Sequence, residues 1–246
     1  MMESPHQSAL AKNLGWGWRE LILVILLSVG MAIGLSLAAR GLIAALQLEV
    51  EQALVSPALY LTGLGVYLSV VAAIYLVVAR RTGWAALGLT ATRWYYFVIV
   101  PPLFAVELIA LLTVNLLVAL VVGSFENPQV AAISGGRALS IRELILLLLL
   151  VAGVVPLVEE LFFRGMLYPL LRRHLGALVA ILLNAAIFAI FHVIPLLLPG
   201  LFVVGLFLAY IRERSGSIWP CVLLHALQNG FALLAISATL GQGAQP

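Results

Sequence analysis

Three short groups of polar residues interrupt an otherwise apolar chain. The first is Glu159-Glu160 with Arg164, which follows a run of almost pure leucine and valine. Neighbouring positions on a helix point about 100° apart, so the two carboxylates cannot share one task. Glu160 and Arg164 are spaced i,i+4 and suit an ion pair on one face. Glu159 then faces elsewhere with no partner nearby in sequence, as a general acid or base requires. The second group is Phe188-Ala189-Ile190-Phe191-His192, with one imidazole at the end of an apolar run. The third is His225 with Asn229, again i,i+4, where an imidazole beside an amide donor suits an oxyanion. Together these are a carboxylate base, two imidazoles, an amide and an arginine to orient a carboxylate. Such a set can activate water for hydrolysis.

Taken singly, each group also has an ordinary reading. Glu159 and Glu160 fit a helix end where charges reach water, and Arg172-Arg173 lie just beyond. A lone histidine has many structural uses. His, Asn and Gln commonly bond between helices in membranes. It is the three groups in combination that favour chemistry.

The elements that must position them are membrane helices. Of 246 residues, 64% are hydrophobic and only 9% charged, far below the ~25% charged of soluble domains. Apolar runs predict an all-α, polytopic transmembrane helical bundle of about seven spans, near 20–40, 57–79, 95–122, 142–172, 177–198, 199–211 and 218–240. The sixth run is short for a crossing. The apolar stretch Leu21–Ala39 exceeds the usual h-region of a signal peptide, which argues for a retained span. The organisation expected is one membrane domain: a polar segment 1–18, N-terminal transmembrane helices 19–141 and a catalytic helical core 142–240.

Loop charges set the orientation. Lys12, Arg19, Arg80, Arg81, Arg93, Arg164, Arg172, Arg173, Arg212 and Arg214 fall on one side, and Arg40, Arg137 and Arg142 on the other. The positive-inside rule then puts the N-terminus in the cytoplasm. By depth, Glu159 lies 14 residues from Arg173 and His192 lies 16 after Gly176, so both sit about 21–24 Å from one face. His225, seven residues after Ile218, comes only about 10 Å deep, so its helix must start deeper if the three groups are to meet.

The inventory excludes several classes. No aspartate is present, which removes paired-aspartate intramembrane proteases and a Ser-His-Asp triad. Cys221 is the one cysteine, so there is no intrachain disulfide or CxxC motif. The net charge of +3 is dispersed, and no nucleic-acid partner is expected. Gly63-Leu64-Gly65 suits close helix packing without fixing an oligomeric state.

Glu-Glu-x-x-x-Arg at 159–164, Phe-x-x-x-His at 188–192 and His-x-x-x-Asn at 225–229 resemble, in this order, the CAAX protease and bacteriocin-processing (CPBP) intramembrane proteases. The flanking Glu-Glu-Leu-Phe-Phe-Arg-Gly and Ser-Gly-Ser-Ile-Trp-Pro are similar to its bacterial branch, and Gly83–Leu89 to a segment often preceding that core. The resemblance covers about 142–240 and implies an intramembrane endopeptidase. In it Glu159 activates water, His192 helps bind that water, His225 and Asn229 stabilise the oxyanion, and Glu160 and Arg164 orient the site. The implied partners are the lipid bilayer and a membrane-associated substrate, of prenylated CAAX type or carrying a leader peptide. The expected location is a prokaryotic cytoplasmic membrane, with the site open to the arginine-rich, cytoplasmic face. The family mechanism implied needs no cofactor. Zinc is the alternative, held by Glu159, His192 and His225, although no His-Glu-x-x-His is present.

Rival readings are a non-catalytic binding or immunity scaffold of the same fold, and a proton-coupled transporter using Glu107 and Asn115. A serine peptidase built on Ser217 and His225 lacks a Gly-x-Ser-x-Gly elbow, and Ser215-Gly216-Ser217 reads better as a turn.

Overall fold

The computed structural model describes residues 14–49, 53–123 and 129–242. The start of the polar N-terminal segment, Lys12 included, lies outside the described residues. The described residues contain no strand. The helices are α1 (Trp18–Ala45), α2 (Pro57–Thr82), α3 (Tyr95–Val122), a short α4 (Gln129–Ser134), α5 (Ile141–Leu175), α6 (Ala177–Phe191), α7 (Pro195–Ser215, opening with a 3₁₀ turn) and α8 (Trp219–Gln242). Six of them are long and apolar enough to cross a membrane, and α6 is a shorter apolar helix. This is the polytopic helical bundle that the hydropathy predicts.

One boundary differs from expectation. The sixth apolar run extends back to Pro195 and gives a 21-residue helix. The fifth stops at Phe191 after 15 residues, about 22 Å. Helix α6 ends there because His192 leaves the ladder, Val193 takes a positive φ of 56° and Pro195 cannot continue a helix.

Local chemistry explains the other ends. Ser140 caps α5 in a capping box: its hydroxyl accepts from Glu143 N, and the Glu143 carboxylate accepts from Ser140 N at 2.8 Å. Ser56 caps α2 ahead of Pro57. Gly176, at φ 76°, makes the tight link between α5 and α6.

The core lies around the second half of α5. Every residue from Glu160 to Leu171 is buried, packed against Phe188 of α6, Leu208 of α7 and Leu224 of α8. By contrast, Leu120 and Val121 of α3 and Leu26 of α1 are among many large apolar side chains facing outward, as the lipid solvent allows. The segment Gly83–Leu89 is wedged into the same core. Leu87 is fully buried, and its carbonyl lies 2.8 Å from where a Cβ on Gly165 would sit. This close approach is why α5 carries glycine directly after Arg164.

Helix α8 begins at a buried turn. The turn before it is covered by the 83–92 segment: Ile218 N donates to Gly88 O at 3.0 Å and Ser217 Oγ to Thr90 O at 2.7 Å. Ile218 and Cys221 are fully buried. The short sequence distance from Ile218 to His225 is thus compatible with a buried His225.

Candidate active site

Glu160 and Arg164 meet on α5 as their spacing predicts, with Arg164 Nη1 donating to Glu160 Oε1 at 2.9 Å and both side chains fully buried. Arg164 also donates to Gly205 O on α7 and lies over the Phe188 ring, 4.6 Å from its centroid. His225 arrives from α8: its Nδ1 is 2.9 Å from the same Glu160 oxygen. A carboxylate accepts, so Nδ1 carries the hydrogen, and Nε2 is the nitrogen that faces Glu159, 3.8 Å from Oε2. Glu160 is therefore the anion between a guanidinium and an imidazole.

Glu159 does acquire a partner, but from another helix. Tyr67 Oη of α2 donates to Glu159 Oε1 at 3.3 Å. Oε2 is buried and makes no hydrogen bond. The tyrosine thus engages one carboxylate oxygen and leaves the other toward His225. Nothing in the sequence marked Tyr67, because a tyrosine in an apolar run usually reads as packing or an interfacial anchor.

His192 stands at the C-terminal end of α6, with Nδ1 2.8 Å from Phe188 O. A carbonyl accepts, so Nδ1–H donates and Nε2 is left as an acceptor. Phe188, fully buried, has its ring edge-on to both His192 and His225, with centroids 4.7 and 5.7 Å apart. It spaces the two imidazoles. Asn229 lies one turn beyond His225, and its Nδ2 donates to Val151 O of α5 at 2.9 Å.

Two cavities meet at Glu159. One of about 380 Å³ is lined by Glu159, His192, His225 and Asn229 and extends past Gln129, Ile133 and Ile236. The other, of about 450 Å³, lies between α1, α2, α5 and α6 and is lined mainly by apolar side chains such as Ile25, Val70, Phe162 and Phe191. Tyr67, Glu159 and His192 border both. The first cavity runs toward the arginine-poor end of the bundle, where α4 and the C-terminal end of α8 lie. On the arginine-rich side lies the buried stretch Glu160–Leu171.

The alternative chemistries find less support. Ser217 is buried and spends its hydroxyl within the turn on Thr90 O. Glu107 is fully buried near Arg164 and Glu160 but lines neither cavity. Among the described residues, no three His, Cys, Asp or Glu side chains are gathered as a metal-holding group.

Fold and site together define an integral membrane protein with a carboxylate–histidine centre between its helices. Residues 141–231, from the first residue of α5 into α8, match the family model described as Type II CAAX prenyl endopeptidase Rce1-like. That segment contains all three motifs, and it is the protease family to which they point. No curated protein and no solved structure matches the chain.

Proposed function

We propose that this protein is an intramembrane endopeptidase in which Glu159 is the general base. The observation that carries the reading is the set of contacts at Glu159 and Glu160. Tyr67 engages one Glu159 oxygen, the other is buried without a hydrogen bond, and His225 is tied to Glu160 with Nε2 toward that free oxygen.

Glu159 Oε2 takes a proton from water while the water oxygen bonds to the scissile carbonyl carbon. His192 Nε2, free because Nδ1 serves Phe188 O, accepts the second hydrogen of that water and fixes its direction. The charge that develops on the carbonyl oxygen is met by His225, whose imidazolium form donates from Nε2 and is stabilised by the Glu160 carboxylate. The C–N bond then breaks, and the leaving nitrogen receives the proton held on Glu159. No step passes through a metal.

The apolar cavity between α1, α2, α5 and α6 suits a lipid-embedded or lipidated part of the substrate, and the other cavity suits its peptide. By the positive-inside rule the arginine-poor end is extracytoplasmic, so we place peptide access on that side of a prokaryotic cytoplasmic membrane.

Purified protein in detergent, treated with EDTA, is offered a library of membrane-tethered and lipidated peptides beside Glu159→Ala and His225→Ala. Cleavage by the wild type, lost in both variants and indifferent to EDTA, is expected. Loss on chelation with recovery in zinc overturns the metal-free mechanism, and cleavage by Glu159→Ala overturns the assignment of the base. An uncleaved library, with a wild-type phenotype retained by Glu159→Ala, overturns catalysis in favour of a binding role.

A further inference from the structure

Helix α5 leaves α-helical geometry twice, at Leu148–Val154 and at Leu161–Leu167, on either side of Glu159-Glu160. Both stretches are π-helical, with N–H groups bonding five residues back. In the first the series ends with Val155 N–H on Leu150 O, and in the second with Tyr168 N–H on Phe163 O. The next bond in each series has no donor. It would run from position 156 to Val151 O and from position 169 to Arg164 O, and both positions are proline, Pro156 and Pro169.

Side chains from later helices occupy these two carbonyls. Asn229 Nδ2 of α8 donates to Val151 O at 2.9 Å, and Arg212 Nε of α7 donates to Arg164 O at 3.0 Å. The arrangement repeats: a π turn, a proline at the same step and one polar side chain from across the bundle. Further carbonyls of the second turn are also met from outside, Phe163 O by Asn184 and Met166 O by Trp16. In a membrane interior a carbonyl without a donor is costly, so these bonds are strong constraints.

A π turn is equivalent to one extra residue in the helix, and one residue is about 100° of rotation. The first turn therefore decides where Glu159 and Glu160 point, and the second decides how the buried end of α5 sits beneath them. We propose that Asn229 and Arg212 are positioning residues that stand in for the N–H groups missing at Pro156 and Pro169, and so hold the two π turns that aim the glutamates. The bond to Val151 O uses one of the two Nδ2 hydrogens of Asn229, so this positioning role leaves the other free to face the cavity.

The test is a pair of double-mutant cycles, Asn229→Leu with Pro156→Ala and Arg212→Met with Pro169→Ala, on the full chain in detergent. Alanine at 156 or 169 supplies a backbone N–H and makes the side-chain donor redundant. Melting temperature and kcat/KM for a cleaved peptide are both read. Asn229→Leu is expected to lower kcat/KM at least tenfold and the melting temperature by several degrees. In the Pro156→Ala background its melting effect shrinks at least fivefold, and over Pro169→Ala both the melting and the kcat/KM effects of Arg212→Met shrink likewise. Equal effects in both backgrounds overturn the proposal. For Arg212→Met, a melting effect that shrinks while the kcat/KM loss persists overturns its assignment as a positioning residue. The kinetic arm rests on the peptidase reading; the melting arm does not. If the wild type cleaves nothing, that reading fails on its own and the melting cycles still decide this one.

Discussion

His225 Nδ1 and Glu160 Oε1, 65 positions apart in sequence, lie 2.9 Å apart in the bundle, on the same oxygen that Arg164 holds at 2.9 Å. One buried carboxylate thus joins the α5 motif to the α8 motif. Removing it strands two groups at once. Glu160→Gln leaves the Arg164 guanidinium buried without a counter-charge, an effect of about 3–5 kcal/mol for a broken buried pair. The expected result is a melting temperature lowered by many degrees together with loss of cleavage. A variant that melts like the wild type would show that the pair contributes little.

Glu159 and Tyr67 separate chemistry from stability. Glu159 is partly accessible in the cavity, and Glu159→Gln keeps an acceptor for the tyrosine hydroxyl. Cleavage is expected to vanish while melting stays close to wild type. Tyr67→Phe removes one hydrogen bond to a carboxylate, worth about 1.5–3 kcal/mol, so kcat/KM should fall about ten- to a hundredfold. Unchanged kinetics for Tyr67→Phe would remove the tyrosine from the site.

Gly165 tests the packing of the Gly83–Leu89 segment against α5. A Cβ there meets the Leu87 carbonyl at 2.8 Å, and backbone cannot swing aside as a side-chain tip can. Gly165→Ala should destabilise by about 1–3 kcal/mol through overpacking, read as a lower melting temperature. Leu87→Ala in the same chain would leave the clash in place, because the obstructing atom is main-chain.

Access from the arginine-poor end can be read by labelling. Cys221 is buried and should stay silent toward a membrane-impermeant thiol reagent. Ile133→Cys, on the cavity lining, should react from outside intact cells, and Arg214→Cys only after lysis. A bulky label at position 133 should block cleavage. Labelling of Arg214→Cys but not Ile133→Cys in intact cells would reverse the orientation.

Hydropathy alone placed the helices, because a lipid-facing surface demands long apolar runs and a chain this poor in charge has few other uses for them. The i,i+4 spacing likewise made the Glu160–Arg164 pair legible, since helix periodicity settles which residues share a face. Neither rule reaches across helices. That His225 lands on Glu160, that Tyr67 reaches Glu159 and that Asn229 turns to a main-chain carbonyl depend on helix crossing, depth and rotation. The two π turns shift that rotation. The sequence names Pro156 and Pro169 but not the side chains that answer them, Asn229 and Arg212, which come from helices far along the chain. Composition and period are properties of one strand of sequence, and they settled the solvent and the candidate residues. Contacts between helices arise only when the bundle packs, and they determined which of those residues meet.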